Sequence, residues 1–297
     1  MSWIIYTIGA VIFQTLRNLE QKSLSKKLDA LTVSWSRFIL PAPFAIVAAI
    51  YSFLEVSNSF ILYCLITAMA QVAGNICLIH AFKKNFSIGI AFYKTEVLQA
   101  MILGFLFFGE SISASGVAAI ITTTIGAILM SGSFDSGAKN FLKSLKNKSS
   151  FFGLLCGFCF SISAFSLKFA AQDLETIGYS KIQGPVMVLM WVLVFQNIFF
   201  LTIKIFQKRL RQDFQNLMGA ENKYAFLRTT ILSFFGSICW FIAYALGKVV
   251  YVKAVGQIEL ALAVAASYFF LKEKFKVTEF VGIFLTSCGI LWLILYN

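Results

Sequence analysis

Ala91-Phe-Tyr-Lys-Thr-Glu-Val-Leu-Gln-Ala-Met-Ile-Leu-Gly-Phe-Leu-Phe-Phe-Gly-Glu110 is the stretch on which the fold turns. It is apolar over the length of a membrane helix, yet it holds Lys94 and Glu96 in mid-run and closes on Glu110. A second stretch, Ala254 to Glu273, repeats it 163 positions later, so that Glu96 falls on Glu259 and Glu110 on Glu273. Moving outward, the same shift lays Gly126 on Gly289. A shift of 162 carries Gly74-Asn75-Ile76-Cys77 onto Gly236-Ser237-Ile238-Cys239, and Ala81-Phe82 onto Ala243-Tyr244. A shift of 146 carries Lys22 onto Lys168. Matches in this order, at nearly constant offsets, point to an internal repeat.

The rest of the chain agrees with a membrane reading. Of 297 residues 59% are hydrophobic and 13% charged, with mean hydropathy +0.82. Soluble domains carry about a quarter charged residues. Apolar runs divided by charged or Gly/Ser/Asn clusters predict spans at 3–22, 33–53, 59–82, 87–108, 112–131, 151–171, 184–204, 226–247, 249–271 and 277–296. None alternates in the manner of a barrel strand, so helices are expected. The expected fold is therefore all-α and polytopic: ten transmembrane helices as two inverted five-helix repeats, 1–131 and 151–297, joined by a polar linker, 132–150. Five spans per half is odd, which turns the second half upside down. Inverted repeats build many secondary transporters, with the solute site near the midplane where the halves meet. Met-Ser-Trp at the start has no basic segment ahead of the first apolar run, so that span is expected to remain.

A net charge of +12 does not point to nucleic acid, because the basic residues sit in connectors and helix ends rather than on one amphipathic face. Their expected partner is the lipid bilayer. Lys and Arg concentrate in the connectors after odd-numbered spans, while the opposite side holds Lys181 and Lys248. The positive-inside rule then places the 131–150 linker and the 205–225 loop in the cytoplasm and both termini outside. The six cysteines lie in apolar runs, and Cys156-Gly-Phe-Cys159 reads as packing, not as a redox or metal motif. With one histidine, His80, and no phosphate-binding loop, no metal, cofactor, catalytic set or ATP use is expected, and the chain does not read as an enzyme.

Polar residues inside spans are costly in lipid and so mark cavities. Arg37, Lys94, Glu96, Lys168, Lys253 and Glu259 lie within predicted spans. Glu96 and Glu259 fall near mid-span as repeat mates, which suggests two acids meeting across a pseudo-two-fold axis. Such acids share a proton or bind a cation. The alternative is that each acid pairs with an internal lysine and fixes packing. Lys94 aligns with Gln257 and could hold a solute carboxylate or phosphate while a glutamate holds an amine; Lys253 is expected nearer the mouth. Gln14, Asn18 and Gln21 form one helical stripe expected to face inward. Trp240 and Tyr244 are candidates to stack on a ring. Glu110 and Glu273 stand at helix boundaries, where a carboxylate favours the N-terminus of the helix that follows. The expected substrate-binding set is Gln14, Asn18, Arg37, Lys94, Glu96, Trp240, Tyr244, Gln257 and Glu259.

Ala-Phe-Tyr-Lys-Thr-Glu-Val-Leu-Gln, then Phe-Phe-Gly-Glu-Ser and Gly126-Ala-Ile-Leu, with the second copy Phe-Phe-Leu-Lys-Glu-Lys and Gly289-Ile-Leu, resembles the drug/metabolite transporter superfamily. The likeness runs along essentially the whole chain and is nearest to the ten-helix EamA-type branch. It implies a carrier of metabolites, often amino acids, purines or sugar-linked compounds, working without ATP; the expected substrate is a small polar metabolite such as an amino acid or nucleobase, and uphill movement must then draw on a proton or exchanged-solute gradient. It also implies a bacterial inner (plasma) membrane and termini inside, opposite to the charge count. Arg37 fits the family's basic residue early in the second span; Lys94 and Glu96 are more charged than the family's usual fourth span. A non-transporting membrane scaffold or assembly partner is the alternative reading.

Overall fold

Lipid offers a peptide group no hydrogen-bond partner, so a chain this apolar must satisfy its backbone within itself. The computed structural model describes residues 2–84, 86–133, 137, 141, 143–271 and 276–296 and is helical nearly throughout. In chain order the helices are α1 Ser2–Leu24, α2 Ala30–Trp35, α3 Ala42–Ser52, α4 Asn58–Lys84, α5 Phe86–Lys94, α6 Glu96–Phe107 and α7 Ala114–Met130. They continue as α8 Lys148–Thr176, α9 Gln183–Phe206, α10 Leu210–Met218, α11 Lys223–Leu246, α12 Val249–Gly256, α13 Ile258–Leu271 and α14 Val277–Tyr296. Among the described residues six stretches are long and apolar enough to cross a membrane: Asn58–Ala81, Ser87–Phe107, Lys148–Thr176, Gln183–Phe206, Lys223–Leu246 and Val277–Tyr296. The remaining expected spans fall short for visible reasons. Arg17 and Glu20 enter α1, α7 has 17 residues, and the second and ninth predicted spans are broken.

The second predicted span is interrupted between Trp35 and Ala42, where Pro41 cannot donate a backbone hydrogen bond and Pro43 lies in the first turn of α3. The carbonyls freed there find other partners. Thr230 Oγ1 donates to Ser36 O at 2.7 Å, and Asn197 Nδ2 to Phe38 O at 2.9 Å. Fourth and ninth spans break at Thr95 and Gln257, equivalent positions in the repeat to within one residue. The loop read as 205–225 contains a further helix, α10.

Backbone contacts divide the chain into two compact units, Met1–Val72 with Ser166–Leu246, and Ala73–Phe165 with Gly247–Asn297. Each takes segments from both halves of the sequence; two of the three boundaries fall inside the long helices α4 and α8, and the third between α11 and α12. In the first unit α1 lies along α11 in antiparallel register: a Cβ on Gly236 would lie 3.2 Å from Phe13 Cβ, and one on Gly9 would lie 3.5 Å from Cys239 Sγ. In the second unit a Cβ on Gly74 would lie 3.4 Å from Cys159 Cβ. Gly236 is the repeat mate of Gly74, and a shift of 146 carries Phe13 onto Cys159, so the two contacts correspond.

The α7–α14 crossing in the second unit is reciprocal in the same sense. A Cβ on Gly126 would meet Thr286 Oγ1 and come within 2.7 Å of Gly282 O; one on Gly289 would lie 2.7 Å from Thr123 Cγ2 and 3.0 Å from Ala119 O. A shift of 163 exchanges these partners one for one. Small residues let the two backbones approach where lipid supplies no hydrophobic drive for helices to associate. Glu110 accepts from Val249 N at 3.1 Å and so serves the N-terminus of α12, whereas α7, the helix it was expected to cap, is capped by Ser113 through Gly116 N at 3.0 Å. Glu273 lies outside the described residues.

Candidate functional site

The site in the second unit is built on the two broken helices. At the α5–α6 break side chains from other helices donate to backbone carbonyls on either side of Thr95. Gln257 Nε2 donates to Lys94 O at 3.3 Å, and Ser161 Oγ to Glu96 O at 3.1 Å. Glycines of α8 admit the break closely: a Cβ on Gly157 would lie 3.2 Å from Glu96 Cα, and one on Gly153 would lie 2.9 Å from Gly89 O.

Two ion pairs cross between the broken helices. Lys94 Nζ lies 3.2 Å from Glu259 Oε2, with side chains 5% and 15% exposed. Lys253 Nζ lies 2.9 Å from Glu96 Oε2, with side chains 2% and 12% exposed. Each acid therefore has a lysine partner. The two-acid arrangement anticipated from the repeat gives way to the alternative, in which internal lysines neutralise the acids. Lys253, expected nearer a cavity mouth, is buried in this set. Gln257 Oε1, in the same place, is buried without a hydrogen-bond partner among the described residues.

Helix ends explain why these charges sit where they do. Glu96 and Glu259 occupy the first turns of α6 and α13, where the helix dipole favours negative charge. Lys94 and Lys253 occupy the last turns of α5 and α12, where it favours positive charge. An unbroken helix would offer none of these four positions. The set is charge-neutral, holding two ammonium donors, two carboxylate acceptors and one spare amide acceptor.

The other expected residues lie in the first unit. Trp240 Nε1 donates to Gln14 Oε1 at 2.9 Å, and the Trp240 and Tyr244 rings stack 5.5 Å apart. Asn18 departs from the inward stripe: it is exposed, accepting from Arg17 Nη2 at 2.9 Å, while Arg17 takes the buried position. Gln21 does turn inward, its Nε2 donating to Val33 O at 3.4 Å. The Arg37 guanidinium lies 5.1 Å over the Phe38 ring.

Sequence reasoning did not find a polar knot in this unit. Lys204 is fully buried and donates to Thr32 Oγ1 and Asp213 Oδ2, each at 2.7 Å, with Asp29 Oδ2 at 3.6 Å. Burial works against the charge on Asp29, but its hydrogen bonds from Thr32 and the Lys204 ammonium outweigh that and hold its pKa below the ordinary value. The missed signal was a lysine at the last turn of an apolar run followed by an acid within an amphipathic segment. Gln196 Nε2 also donates to Gln71 Oε1 at 2.6 Å.

Apolar helices of spanning length, with helices broken around charges screened from solvent, define a polytopic α-helical integral membrane protein. The family model of the EamA-like transporter family matches residues 147–295, half of the chain. The chain belongs to the EamA-like transporter family, membrane transporters of the drug/metabolite type. One solved structure, described only as the crystal structure of a protein, superposes with a TM-score of 0.71 at 14% identity, covering 99% of this chain and 98% of that chain. A likeness at that identity is one of fold. No curated protein matches the chain significantly.

Proposed function

We propose that this protein is a secondary transporter that carries a small polar metabolite, an amino acid, nucleobase or related compound, across a bacterial inner membrane by alternating access. In this reading the ten spans form two inverted five-helix repeats, 1–131 and 151–297, joined by 132–150. The reciprocal contacts of α7 with α14, and the correspondence of the Gly74 and Gly236 contacts, support that arrangement. The solute-binding set of this reading is Lys94, Glu96, Gln257 and Glu259, all within the second unit.

The observation that carries the reading is the pair of buried Lys–Glu contacts at equivalent helix breaks. Half-helix ends facing a polar centre are a recurring way of holding solutes inside membranes. A solute with a carboxylate and an amine replaces each half of an ion pair: its carboxylate takes Lys94, its amine takes Glu259, and Gln257 Oε1 accepts a remaining N–H. The empty site reforms its own pairs and so bears no uncompensated charge. Uphill movement draws on an exchanged solute or a proton gradient.

The test is counterflow in liposomes holding the purified full chain, with radiolabelled amino acids and nucleobases. Saturable uptake that stops when Lys94 and Glu259 are replaced together supports the reading. A correctly inserted protein that moves no member of the panel, and whose melting point none of them shifts, is a membrane scaffold instead.

A further inference from the structure

Helix α10 faces two ways. Leu210, Asp213 and Leu217 lie on one side; Leu217 is fully buried, and Asp213 is turned inward against the buried ammonium of Lys204. The other side is exposed. Lys208 and Arg209, immediately ahead of the first turn, and Arg211 within it are all exposed, and no described carboxylate lies within ion-pair distance of any of them. Beside them on the helix Phe214 and Met218 are each 42% exposed, and Phe206, at the end of α9, is 83% exposed. Helical spacing brings Arg211, Phe214 and Met218 onto one flank.

Since the acid of α10 is neutralised from within, the N-terminal end of the helix and its exposed side together present three cations beside an apolar flank. Such a face matches neither water, which disfavours the aromatic and thioether surface, nor the hydrocarbon core, which disfavours the cations. It matches the headgroup layer. We infer that α10 lies in the membrane interface and binds an anionic phospholipid, whose phosphate is held by Lys208, Arg209 and Arg211 while its upper acyl chain covers Phe214 and Met218. The Lys204–Asp213 contact is the latch that keeps the acid away from that headgroup. The inference does not depend on which solute is carried, or on whether one is.

The experiment uses the full chain in detergent with equimolar phosphatidylglycerol and phosphatidylcholine, counting retained lipids by native mass spectrometry. Phosphatidylglycerol should be retained preferentially. Replacing Lys208, Arg209 and Arg211 by Gln together should weaken its binding roughly 100-fold, about fivefold per cation. Equal retention of the two lipids overturns the inference, as does a triple variant that binds like the parent. Displacement of the lipid by glycerol phosphate at matched concentration also overturns it, because the face would then take a soluble phosphate. A second measurement needs no variant: hydrogen exchange of residues 205–219 in nanodiscs should be slower with phosphatidylglycerol present than in phosphatidylcholine alone. Equal exchange in the two discs overturns the inference as well.

Discussion

Replacing Glu259 by Gln tests the candidate site at one of its two ion pairs. The substitution keeps the side-chain shape and removes the charge 3.2 Å from Lys94 Nζ. The Lys94 ammonium then keeps a neutral amide oxygen as acceptor and the Tyr93 ring, 5.0 Å away, but no counter-charge among the described residues. At an effective dielectric of about 20, unit charges at the observed separation attract by roughly 5 kcal/mol. Removing one member of a buried pair costs about 3–5 kcal/mol, and a cation over an aromatic face offsets about 1 kcal/mol. The expected loss is therefore roughly 2–4 kcal/mol. Adding Lys94→Met removes the stranded cation with a side chain of similar length, and the double variant should return to within about 1 kcal/mol of the parent. Unfolding of the four proteins in one detergent closes a double-mutant cycle, and solute uptake is read on the same four samples. A coupling below about 0.5 kcal/mol would refute the ion pair. A double variant as stable as the parent, and carrying solute at the parental rate, would make the pair a brace and remove the proposed site.

Asp213→Asn should destabilise by roughly 2–3 kcal/mol, the low end for a buried pair, because Asp29 remains 3.6 Å from Lys204; chemical denaturation in detergent measures it, and an unchanged midpoint contradicts the burial of Lys204. Gly126→Ala should cost about 1–3 kcal/mol by overpacking, since its Cβ would come within 2.7 Å of Gly282 O, and Gly289→Ala should behave alike. A raised melting point for either variant would mean a wider crossing. Asp29 has a depressed pKa, so its contribution is present above the ordinary value of 3.8 and lost as pH falls below that through the folded value. The parent should therefore lose stability in that acid window more steeply than Asp29→Asn; identical pH profiles would deny the contribution.

Unbroken spans were legible because hydropathy alone sets their ends, as at Val277–Tyr296, which matches the predicted 277–296. Breaks were harder. Pro41 and Pro43 mark the second one, but the apolar run 33–53 continues across them and hydropathy alone does not divide it. At Thr95 there is neither proline nor glycine, and at Gln257 only Gly256 beside it; part of what holds the first bend lies far away in sequence, as Gln257 holds Lys94 O across 163 positions. Helix α10 was hidden by its nine residues, too short for a span and too polar on one side to register as apolar. Lys204 shows the limit most plainly: its three oxygen partners come from Asp29, Thr32 and Asp213, and no local pattern announces that they converge.

The repeat revealed which acids are equivalent but misled about what each acid meets, and the reason lies in where repeat symmetry holds. Glu96 and Glu259 are mates, whereas Lys94 falls on Gln257 and Lys253 falls on Ile90. Two symmetric acids are thus neutralised by cations from unsymmetric positions, one two residues before an acid and the other six before. Geometry at the helix ends tolerates this, because any lysine in the last turn of α5 or α12 gains from the dipole there, whatever its register. The acids have less freedom, since each must stand in the first turn after its break. When a solute separates a pair, both released charges still face helix ends of opposite sign, which lowers the cost of opening it. That cost would be far higher in continuous helices, and this is the physical reason to look for solute exchange at the two breaks rather than elsewhere along α5–α6 and α12–α13.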